Sequence, residues 1–116
     1  MDALAVAVCT SHAMLDRSAR IDFELIERLR ATVPVPLVLH VSSGVRDEDL
    51  AEAVSRGITK VNIATQMNQA FTSAVRAHLD RDTALVDPRK YLATGRDAMA
   101  AAVAAKLRLF GGGWRA

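Results

Sequence analysis

Val33-Pro34-Val35-Pro36-Leu37-Val38-Leu39-His40-Val41-Ser42-Ser43-Gly44 is the stretch on which the fold turns. Its apolar, branched centre, Val35 to Leu39, reads as a strand buried on both faces, the kind found in parallel sheets. The apolar run stops at His40, and a small polar segment follows to Gly44. A buried strand that carries a ligand-type side chain to its C-terminal end, followed by a small-residue loop, is how α/β proteins assemble sites. A helix opening near Asp47 would add free backbone N–H groups for an anion. His40 and the Val41–Gly44 loop are therefore candidates for a metal and phosphate site. A lone histidine after a strand is also, in many proteins, no more than a hydrogen-bonded structural residue, so both readings stay open at this point.

Outward from that stretch the same pattern recurs. Ala3 to Val8 is a second short apolar run and ends in Cys9-Thr10-Ser11-His12. Thr59 to Thr65 is a third strand candidate, ending in the hydrogen-bonding residues Asn62 and Thr65. Between the strands lie two helical patterns. One covers Phe23 to Ala31 with Asp22 as its N-cap; the other opens at Asp47 and is terminated by Gly57. A third helix is predicted from Gln66 to Leu79, with Met67, Ala70, Phe71, Ala74, Val75 and His78 forming one buried stripe. His78 on that stripe reads as a packed or C-capping residue rather than a ligand. Asp80 to Arg89 is predicted as a loop. A last helix is predicted from Gly95 or Arg96 to Leu109, with Met99, Val103, Leu107 and Phe110 on its apolar side. Strands alternating with helices at this spacing predict parallel β/α units.

Composition excludes several classes. The chain has 116 residues, 51% hydrophobic and 24% charged, which suits one globular domain. A formal charge of +2 with interspersed acids and bases gives no footprint for nucleic acid. No run is long enough to span a membrane, and nothing resembles a signal peptide, so no membrane partner and a cytoplasmic location are expected. A single cysteine, Cys9, forbids an internal disulfide.

In parallel α/β proteins the strand ends share one edge of the sheet. His12 and His40, placed at two such ends, are candidate ligands for one zinc ion. Ser42, Ser43, Asn62 and Thr65 would lie alongside. Two histidines alone do not complete a catalytic zinc site, which usually has three protein ligands. Cys9 does not supply the third, because residues three apart on a strand point to opposite faces.

The segments Asp2 to His12, Pro36 to Gly44 and Lys60 to Thr65, together with Asp87-Pro88-Arg89-Lys90-Tyr91-Leu92, Arg96-Asp97-Ala98-Met99 and Leu107 to Gly111, resemble the class II fructose-bisphosphate and tagatose-bisphosphate aldolases. The resemblance runs from end to end. It implies an α/β fold forming part of a TIM (β/α)8 barrel, about the last three β/α units plus a C-terminal helix, in a single partial domain over residues 1–116. It implies a zinc-dependent enzyme that cleaves a ketose bisphosphate to dihydroxyacetone phosphate and glyceraldehyde 3-phosphate. By this likeness His12 and His40 match zinc ligands. Ala13, Val41, Ser42 and Ser43, with Asn62, Ile63, Ala64 and Thr65, match the positions that hold dihydroxyacetone phosphate. Arg89 stands where the family has a basic residue, a candidate contact to substrate phosphate. Zn2+ and a monovalent cation, Na+ or K+, are the implied cofactors. A homo-oligomer or a complementary N-terminal half is the implied protein partner. The family usually has glycine at positions 9, 13 and 41, where this chain has Cys9, Ala13 and Val41. Its third zinc histidine and its catalytic aspartate have no matching segment here, so the chain is expected to be inactive alone. The alternative is a non-catalytic remnant, or a module that binds zinc or a phosphosugar without turnover.

Overall fold

The computed structural model describes residues 1–8, 20–40 and 44–111. The chain divides into two compact units, Met1–Ile63 and Ala64–Ala116.

The first unit contains β1 (Leu4–Val6), α1 (Phe23–Thr32), β2 (Leu37–Leu39), α2 (Asp47–Ser55) and β3 (Ile58–Val61). The strands form one parallel sheet in the order β1-β2-β3, as the alternation of strand and helix predicts. The strands are shorter than their apolar runs. β1 covers three residues of Ala3 to Val8, because it pairs only with the three residues of β2. The peptide of Leu4 adds a bond to the Pro36 carbonyl, 2.9 Å away.

Leu37 and Leu39 are fully buried and Val38 is 6% exposed, as a central strand covered on both faces requires. Ile26 of α1, Val45, and Leu50 and Ala53 of α2 are also fully buried and belong to the core of this unit. Asp22 caps α1 as expected, its carboxylate accepting from the Leu25 N–H at 2.9 Å. Gly57 ends α2 at φ 125°, a backbone conformation that L side chains rarely adopt. On the outer surface Arg56 donates to Glu52 at 2.6 Å and to Glu27 at 2.7 Å. Its guanidinium carbon lies 5.4 Å from the Phe23 ring centroid, so this one side chain ties α2 to α1.

The second unit is a helical hairpin, α3 (Thr65–Arg81) and α4 (Pro88–Gly111). Two expectations are corrected here. The segment ending at Arg89 is not all loop, because α4 starts at Pro88 and not at Gly95 or Arg96. Proline suits the first position of a helix, where its missing N–H costs nothing. Gly95 lies inside the helix as its one buried residue, where a Cβ would come within 2.8 Å of Phe71 and Val75. The helices touch where that side chain is absent.

The second correction concerns burial. Residues Met67 to His78 of the predicted stripe are half-buried, and α3 has no fully buried residue. Val103 and Leu107, on the predicted apolar side of α4, are 39% and 64% exposed. The packed side of α4 includes Thr94, whose Oγ1 lies 2.7 Å from His78 Nδ1, and Gly95. His78 is thus a packed residue. No described helix is long and apolar enough to cross a membrane.

Candidate functional site

In a parallel sheet all strands present their C-terminal ends to the same edge. Here that edge carries His40, directly after β2, and Asn62, directly after β3. His40 is exposed and Asn62 half-buried. The Asn62 N–H donates to the Leu39 carbonyl at 3.0 Å, which extends the β2–β3 ladder past the last residue of β3. The backbone of Asn62 is thereby fixed against the residue that precedes His40.

The register decides which side chains share a face. Leu4, Val6, Leu37, Leu39 and Val61 lie on one side of the sheet; Ala5, Val38 and Lys60 lie on the other. A bulge beside Leu37 and Val38 places both Ile58 and Thr59 before Lys60 comes opposite Val38. By strand alternation His40 and Asn62 continue the Val38 and Lys60 face.

The other candidates divide as follows. His12, Ala13, Val41, Ser42 and Ser43 lie outside the described residues. Ile63 is half-buried and ends the first unit; Ala64 and Thr65 are exposed and begin the second. The start of α3 differs from the other helix starts. Its N-cap, Ala64, has no side-chain cap bond, and its first turn contains no acidic residue. Its first N–H groups therefore lack both an intrahelical partner and a capping side chain. Thr65 also lines a shallow groove along α3 with Asn68, Gln69 and Thr72. By contrast α2, the helix expected to attract an anion, carries Asp47, Glu48 and Asp49 in its first turn. Those carboxylates oppose a second anion there.

Arg89 lies at the start of α4 with its side chain 89% exposed. It donates to Asp87 through Nε at 3.0 Å and a terminal nitrogen at 2.9 Å, and its backbone N–H also reaches Asp87 Oδ1 at 3.1 Å. These bonds, first the side-chain pair and then the backbone one, hold the Asp87 carboxyl below its ordinary range. A carboxylate with a depressed folded value contributes fully above its ordinary pKa. The contribution fades as pH falls through the lowered one. Amide protection factors over the first turn of α4, taken relative to the intrinsic exchange rate at each pH, are therefore expected to fall on acidification, and Asp87→Asn to flatten that pH dependence.

A cleft of about 270 Å3, with no sequence motif to mark it, lies between the starts of α1 and α2. Arg20, Ile21, Phe23, Arg46 and Asp49 line it. Arg46 is held there by Asp49, with Nε 3.1 Å from one carboxylate oxygen.

Among the described residues no three His, Cys, Asp or Glu side chains form a cluster able to hold a metal. The described donor, the exposed imidazole of His40, is of the type zinc takes, and a complete site needs at least two further ligands.

Comparison with known proteins gives these elements a context. The YdjI aldolase of Escherichia coli K12 is 35% identical, aligned over 95% of this chain and 39% of its own, with a TM-score of 0.78. The fructose-bisphosphate aldolase (Fba) of Campylobacter jejuni, 22% identical over 79% of this chain and 35% of its own, has a TM-score of 0.71 and supports the fold alone. The chain thus spans about two fifths of the length of the first structure and less of the second. The model of the family described as fructose-bisphosphate aldolase class-II matches residues 1–113. With a match of that extent, the chain belongs to the class II fructose-bisphosphate aldolase family.

Proposed function

We propose that this chain carries the metal-binding and phosphate-binding side of a ketose-bisphosphate aldolase, acting on fructose 1,6- or tagatose 1,6-bisphosphate. The observation that supports this most is the placement of His40 and Asn62 along one edge of a parallel sheet, in a chain of this family. Residues 1–116 then form a single partial TIM barrel, whose outer strand edges are completed by further strands of an aldolase domain.

In this reading His12 and His40 hold Zn2+ together with a ligand from outside this chain. Bound there, the ion would supply Lewis-acid polarisation of a substrate carbonyl. The hydroxyls of Ser42 and Ser43, the backbone at Ala13 and Val41, and the run Asn62 to Thr65 hold the phosphate of dihydroxyacetone phosphate. A monovalent cation, Na+ or K+, would supply charge balance for the bound phosphate. Arg89 contributes at most a second contact, because Asp87 already engages its guanidinium. Proton transfer belongs to an aspartate in a segment with no counterpart in residues 1–116.

The purified chain alone is expected to show no cleavage of fructose 1,6-bisphosphate in a coupled assay. It is expected to bind zinc in competition with a chromogenic chelator, and to lose at least tenfold in affinity in His40→Ala and in His12→Ala. Equal zinc affinity in both variants and the parent would reject the assignment. A second reading is a non-catalytic remnant, or a zinc or phosphosugar module without turnover. It predicts zinc affinity weaker than micromolar, and no cleavage after mixing with the complementary part of a related aldolase.

A further inference from the structure

We draw no further inference here: the strongest candidate, the exposed apolar stripe of Leu92, Val103 and Leu107 along α4, carries nothing because nothing in the structure shows what covers it.

Discussion

Leu39→Ala is expected to cost about 2–5 kcal/mol, the range for truncating a fully buried leucine. Leu39 is 0% exposed and lies in the middle strand, with β1 on one side and β3 on the other. Three groups depend on its position. Its backbone pairs with Val6 and Val61, its carbonyl accepts from Asn62, and the next residue is His40. Stability per residue is about 0.05–0.15 kcal/mol, so a unit of this size has little more than that to lose. Urea titration followed by circular dichroism should show a lower midpoint with an unchanged slope. Leu107→Ala, at a residue 64% exposed, should stay within about 0.5 kcal/mol of the parent. An unchanged midpoint in Leu39→Ala would mean that the sheet does not bear the stability of the first unit.

Gly57→Ala should cost about 1–3 kcal/mol through backbone strain alone, because its φ of 125° is nearly closed to side chains. A steric component adds to this. The new Cβ would meet Arg30 Cγ at 2.8 Å, Cβ at 3.0 Å and Cδ at 3.1 Å. Combining the change with Arg30→Ala separates the two, since that truncation removes Cγ and Cδ but keeps Cβ. Partial recovery in the double mutant is expected, with the remainder belonging to the backbone and to the retained Cβ contact at 3.0 Å. Full recovery would show that the dihedral carries no cost.

Much of the first unit can be read in the amino-acid order, for local reasons. Asp22 and Gly57 bracket helices through chemistry confined to a few residues, and branched apolar runs bounded by polar ones mark strands. The hairpin is harder. Pro88 lies in a polar stretch that reads as a loop, while as the first residue of a helix it is at home. Gly95 looks like a helix boundary, yet it is the contact point with Phe71 and Val75, more than twenty and exactly twenty positions earlier in the chain. Nothing near Gly95 announces those partners. Periodicity likewise identifies the Val103 and Leu107 stripe of α4 but not what, if anything, covers it. In the candidate site the histidine and asparagine at the strand ends were legible because they interrupt apolar runs.

The all-parallel connection of the sheet also constrains the order of events in folding. Neither β1 with β2 nor β2 with β3 can close by a tight turn, since each pair is joined through a helix. A strand therefore gains its neighbour only after an intervening helix has reversed the chain. α3 and α4 need only the short link 82–87 to meet. By topology the hairpin has the faster route to its native contacts, and the residues at the sheet edge acquire their arrangement late.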